Sequence, residues 1–214
     1  MRPPKQDHYE IARAKALNRL RSSHEPVRLE RLGAVLDGGS GTITVPMLCW
    51  RVETRLEPYA MRLLAEDVEP DLTWQILVLN YLAAERPAPP TEFVSFADFA
   101  EGRGYESAYR GRVNQRLSHT VGRQGDTLKA AVEGLDGTIV EGDPMRCILR
   151  FFPLLEFQVV RHEGDEDFPP SCTVLMPDNT LQIFSLEDGI VAAERLVSAL
   201  EGKSPAGKRE AAQP

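Results

Sequence analysis

Residues 162–172 read His162-Glu163-Gly164-Asp165-Glu166-Asp167-Phe168-Pro169-Pro170-Ser171-Cys172. Four carboxylates and an imidazole in so short a span must face water or hold something positive, because burying unpaired carboxylates is prohibitively costly. Oxygen ligands suit a hard cation such as Mg²⁺ or Ca²⁺, which makes Asp165, Asp167 and the nearby His162 a candidate metal set. Adjacent residues of an extended chain point to opposite faces, so Asp165 and Asp167 can share one ion while Glu166 cannot join them. The spacing lacks the glycine and terminal glutamate of an EF-hand loop. The competing expectation is a solvated turn that caps a sheet or pairs with arginine. Either way, His162, Asp165, Glu166, Asp167 and Phe168 are candidate contacts for a ligand or a protein partner.

A second polar group is basic. Arg112 and Arg116 fall one helical turn apart, and such a stripe can seat a carboxylate or phosphate. It can equally pair with the chain's own acids, those of the turn included, which would make the two clusters halves of one network. Nucleophiles are less promising. Cys147 and Cys172 lie among apolar β-type neighbours, where a thiol is inert core. A pairing of Cys172 with His162 across the turn is the one thiolate arrangement worth checking. Ser171 has no G-x-S-x-G elbow around it. The three cysteines show no C-x-x-C spacing, hence no zinc-ribbon, thioredoxin or iron–sulfur motif.

The surrounding elements make an α+β fold. A stretch from Tyr9 to Leu20 repeats apolar residues near helical period (Ile11, Ala14, Leu17, Leu20). Ala34–Leu36 and Thr42–Val45 flank Asp37-Gly38-Gly39-Ser40-Gly41, a hairpin with a glycine-rich turn rather than a phosphate loop, since no helix follows it. A third strand runs from Met47 to Val52. The strongest helix runs from about Leu72 to Ala84 and is apolar nearly all round, as a central buried helix is. After Pro87-Ala88-Pro89-Pro90, Glu92–Phe96 is extended, Tyr105–Val121 is a polar helix and Asp126–Val132 a shorter one. Strands follow at Cys147–Phe152 and Leu154–Val160, with Pro153 implying a kink, a bulge or an edge. Cys172–Met176 and Thr180–Phe184 form a further pair of strands. Ser185 caps a last helix to about Leu200, with Asp188 at the capping-box position.

Composition fits one soluble domain over 1–201, mostly antiparallel sheet with packed helices, and a disordered tail over 202–214. The formal charge of −7 argues against nucleic acid as a partner, which needs a basic face. No secretory signal and no apolar run of membrane-spanning length is visible, so a cytoplasmic, reduced setting is expected.

Three blocks resemble the domain of unknown function 3786 family, an uncharacterised group found mostly in anaerobic bacteria and archaea. They are Gln75–Leu82, Phe93–Phe99 with Gly104-Tyr105, and Gly164–Pro169 followed by Leu175 and Glu187-Asp188. The likeness spans about 29–200. His162 stands where the family usually has tryptophan, Asp167 replaces a glutamate and Met176-Pro177 replaces Phe-Asp. Many relatives carry an N-terminal four-cysteine cluster module that this chain lacks. The resemblance implies a corrinoid or iron–sulfur methyl-transfer setting, with a corrinoid or other tetrapyrrole as the implied cofactor. The expected function is therefore a non-catalytic accessory protein that contacts a small-molecule cofactor or a cofactor-bearing partner. The alternatives are a metal-dependent hydrolase or transferase using His162, Asp165 and Asp167, and a purely structural interaction domain.

Overall fold

The computed structural model describes residues 4–206. Within them the chain gathers into two compact units, one built from 4–46, 50–85 and 204–206, the other from 47–49 and 86–203. The change at 85/86 immediately precedes the proline loop. Both units set helices beside a sheet, and the α+β class stands. Among the described residues no helix is long and apolar enough to cross a membrane.

The first unit opens with α1 (Pro4–Arg21) and α2 (Pro26–Arg31). A sheet of β1 (Val35–Asp37), β2 (Thr42–Met47), β3 (Trp50–Leu56) and β4 (Tyr59–Leu63) follows in that spatial order, and then α3 (Leu72–Leu82). The Asp37–Gly41 turn is the expected hairpin connection. Asp37 Oδ1 accepts from Gly39 N–H at 2.9 Å, Ser40 Oγ donates to Asp37 Oδ2 at 2.6 Å, and Gly41 takes φ +67°, a conformation glycine adopts without strain. α3 is buried from Trp74 through Leu82. Its cap is Asp71, which accepts from the N–H groups of Thr73 and Trp74, and Pro70 lies just outside the helix.

Two amides inside α3, Gln75 and Asn80, are buried, and α1 answers both. Arg13 donates to Gln75 Oε1 at 3.3 Å and Arg19 to Asn80 Oδ1 at 2.6 Å. α1 does not bury the whole apolar row that its spacing suggests. Ala16, Leu17 and Leu20 are buried, but Ile11 is 67% exposed and Ala14 is exposed as well.

The second unit contains β5 (Phe93–Val94), α4 (Gly102–Tyr109), α5 (Arg116–His119), α6 (Gly125–Glu133), β6 (Thr138–Val140), β7 (Met145–Phe152), β8 (Leu155–His162), β9 (Ser171–Pro177), α7 (Thr180–Ile183) and α8 (Leu186–Leu200). Its strands lie in the order β5-β9-β8-β7-β6, each antiparallel to its neighbours. Pro153 sits in the two-residue turn between β7 and β8, and the register slips between Arg150 and Phe152, which is the bulge the proline announces. Thr180–Phe184, expected as a strand, is instead α7 and its C-cap. Pro177 cannot donate to a ladder, and Thr180 Oγ bonds back to the Pro177 carbonyl at 2.6 Å, which turns the chain into a helical loop. Ser185 caps α8 as expected, accepting from Asp188 N–H at 3.1 Å.

The expected polar helix runs from Gly102 to His119 with a π-helical segment, Arg110–Gln115, between α4 and α5. The π segment has a visible purpose. Tyr109 donates to the Val174 carbonyl at 2.9 Å, Asn114 Oδ1 accepts from Val174 N–H at 3.0 Å, and Ser118 Oγ accepts from Cys172 N–H at 2.8 Å. In a regular α-helix residues 109 and 114 would diverge by about 140°, whereas the wider π turn returns them to one face. Three side chains thereby satisfy the outer edge of β9 where β5 does not reach, and close that edge to foreign strands. Tyr109 is also stacked on Phe96, with ring centroids 4.4 Å apart.

Of the stretch expected to be a disordered tail, residues 202–206 are ordered. Asp71 N–H donates to the Pro205 carbonyl at 2.9 Å, Ser204 Oγ donates to Glu66, and Ala206 bridges Pro70. Residues 207–214 lie outside the described residues.

Candidate contact site at the acidic turn

The acidic segment connects β8 to β9. The ladder closes on the pairs Arg161↔Cys172 and His162↔Ser171, leaving residues 163–170 as the loop. Its conformation is written into its own residues. Asp165 Oδ1 accepts from the N–H groups of Asp167 (2.9 Å) and Phe168 (2.8 Å), and Asp165 N–H donates to the Phe168 carbonyl (2.9 Å). This is an Asx-type turn, in which a short acid replaces a backbone acceptor. A Cβ on Gly164 would stand 2.6 Å from Pro170 Cδ, so only glycine fits where the two arms of the loop meet. Pro169 and Pro170 stiffen the return.

The base of the loop is fastened by Arg161, which is 3% exposed. Its Nε donates to the Gly122 carbonyl at 2.9 Å, its Nη2 approaches the Arg123 carbonyl at 3.4 Å, and its Nη1 pairs with Glu163. The hydrogen bond from Arg161 holds the Glu163 carboxyl below the usual carboxylate range. Gly122 itself packs closely, since a Cβ there would lie 2.4 Å from Cys172 Sγ.

The candidate residues therefore separate. Asp165 spends one carboxylate oxygen on the turn itself. Residues 162–169 are all exposed, Phe168 to 71%. Among the described residues no hydrogen bond or ion pair engages the side chains of His162, Glu166 or Asp167, and no three His, Cys, Asp or Glu side chains are grouped to hold a metal ion. Cys172 stands opposite Arg161, on the buried face, while His162 stands opposite Ser171 and is exposed. The thiol and the imidazole thus occupy different faces of the sheet. Burial pushes the Cys172 thiol up to about 11 against the opposing charge of Arg161, and burial likewise pushes Cys147 up to about 11. Both are poor thiolate sources at neutral pH.

Arg112 and Arg116 do not meet the turn; their partners lie on and just beyond α8. Arg116 Nε donates to Glu201 Oε1 at 2.9 Å, and Arg116 Nη2 reaches Glu201 Oε2 at 2.5 Å and Ser198 Oγ at 2.9 Å. Arg112 pairs loosely with Glu194 at 3.5 Å. Burial pushes the Glu201 carboxyl up, but hydrogen bonds from Arg116 and Lys203, together with their charges, outweigh it and hold Glu201 below its ordinary value. The arginine that does serve the turn is Arg161, which belongs to neither polar cluster of the sequence. Its signal is phase: Leu155, Phe157, Val159 and Arg161 form one alternating row, and the first three are core.

A family model described as Domain of unknown function (DUF3786) matches residues 26–199. The chain belongs to the DUF3786 family. The DUF3786 region contains α3, the edge-closing row Tyr109, Asn114 and Ser118, and the whole acidic turn. Arg13 and Arg19, which satisfy the buried amides of α3, precede it. No curated protein and no solved structure matches the chain.

Proposed function

We propose that this DUF3786 protein is a non-catalytic accessory protein of the cytoplasm that presents the Asp165–Phe168 turn to a partner protein. The supporting observation is that Asp165 and Arg161 fix the loop from within the chain while Glu166, Asp167 and Phe168 are left outward. A loop shaped before binding loses less conformational entropy on contact. An exposed aromatic flanked by acids fits an apolar recess rimmed by basic residues. In the corrinoid or iron–sulfur methyl-transfer setting that the resemblance implies, the partner would carry the cofactor. Residues 162–169 are exposed without a break, which suits contact with a protein surface.

The test places a photo-crosslinking phenylalanine analogue at position 168 of the full chain in its native host, with Val140 (47% exposed) as the control position. The expected result is a discrete adduct from position 168 that disappears when E166K and D167K are added. Equal labelling from 168 and 140, or an adduct indifferent to those charges, would sink the proposal.

A further inference from the structure

The β1–β4 sheet of the first unit has one buried and one open face. On the β3–β4 pair, Val52, Thr54, Leu56, Met61 and Leu63 point inward and are buried. The opposite face carries Arg51, Glu53 and Arg55 on β3, with Arg62 directly across from Glu53 and Ala60 across from Arg55. Arg51, Arg55, Ala60 and Arg62 are exposed and Glu53 is half-buried. Asp67 holds Arg62 at 2.5 Å. Among the described residues no hydrogen bond or ion pair engages the side chains of Arg51 or Arg55. On a chain of net charge −7 this face inverts the overall sign. It is bordered by Leu64, which is 46% exposed.

We propose that this face docks the acidic turn of a second copy of the chain, Glu166 and Asp167 lying against Arg51 and Arg55, with Phe168 against Leu64. The inference rests on the turn being a contact surface and gives that surface a second occupant, a copy of the chain, besides the partner proposed above. Charge complementarity carries it: the turn offers two acids unengaged among the described residues beside an exposed aromatic, and the sheet offers two such arginines beside an exposed aliphatic. Arg51 and Arg55 are about 13 Å apart along the strand, and their long side chains can converge on two adjacent acids. The contact joins two different patches, so two copies close on a two-fold axis only if both contacts form at once, and otherwise it propagates head-to-tail. Exposed ion pairs are weak and screened by salt, so association appears at high protein and low salt concentration.

Sedimentation velocity on the full chain, from about 10 to about 300 μM in about 50 mM and about 500 mM NaCl, reads this directly. The expected result is a weight-average sedimentation coefficient that climbs with concentration in low salt and falls back in high salt. R51E/R55E and E166K/D167K should each weaken association at least about fivefold, an effect of about 1 kcal/mol, with unchanged melting temperatures. Mixing the two variants should restore it, since each then offers the charge the other needs. A single-copy species at every concentration, or a mixture no better than its components, would overturn the proposal. If position 168 still crosslinks to a different protein while the chain sediments as one copy, this inference falls and the contact role of the turn survives. If both results are blank, both fall.

Discussion

The acidic turn and the arginine row of the Gly102–His119 helix look alike in sequence, each a tight polar cluster on an apolar scaffold, yet they end differently. Arg116 is committed to Glu201 and Ser198, and Arg112 has Glu194. That cluster is an internal clasp between the helix and α8. The turn is fastened at its base by Arg161 and at its centre by Asp165, and everything beyond those two residues points outward. Charge density therefore does not mark a contact surface. What sets the turn apart is charge left over after the chain has met its own needs.

The largest expected effect separates the fastening from what it fastens. Arg161→Met removes a buried cation and leaves two carbonyls and Glu163 without their donor, so urea unfolding should show a loss of about 3 kcal/mol. A loss below about 1 kcal/mol would mean the guanidinium is not the fastening. Next, Gly164→Ala forces a methyl group against Pro170 and should cost about 2 kcal/mol; no change in the unfolding midpoint would contradict the tight meeting of the loop arms. Within the arginine row, Arg116→Ala should cost about 1 kcal/mol and Arg112→Ala under about 0.5 kcal/mol, as forked and loose exposed pairs differ. Equal losses would erase the distinction drawn between them.

The smallest effect is in pH. The folded Glu201 carboxyl is depressed relative to its unfolded value, so its stabilisation is present above the ordinary glutamate range and is lost as pH falls through the folded value. Glu201→Gln should therefore be slightly less stable than the parent near neutrality, and the two should converge on acidification. Parallel stability curves across that range would show that the Arg116 clasp contributes nothing through charge.

Much of this arrangement was legible in the residues. The alternation of Leu155, Phe157 and Val159 placed β8, the apolar run from Trp74 placed α3, and Ser185 placed the start of α8. What escaped depended on partners distant in sequence. α1 leaves Ile11 and Ala14 exposed and sets Arg13 and Arg19 against Gln75 and Asn80, which its own periodicity cannot reveal. Tyr109, Asn114 and Ser118 are spaced five and four apart, which is no face of a regular helix, and only the π segment aligns them. Thr180–Phe184 has strand-forming composition, but Pro177 ends the ladder before it. At the turn the composition was plain and the economy was not: Asp165, one of the two acids spaced to share an ion, is the one most fully used by the backbone.

The central claim is that the turn is held in its outward shape by its own chain before any partner arrives. Backbone ¹⁵N relaxation across residues 163–170 of the isolated protein measures this. Order parameters of about 0.8 or above at Asp167 and Phe168, falling together in Asp165→Ala, are the predicted result, and values below about 0.6 in the unmodified chain would contradict it.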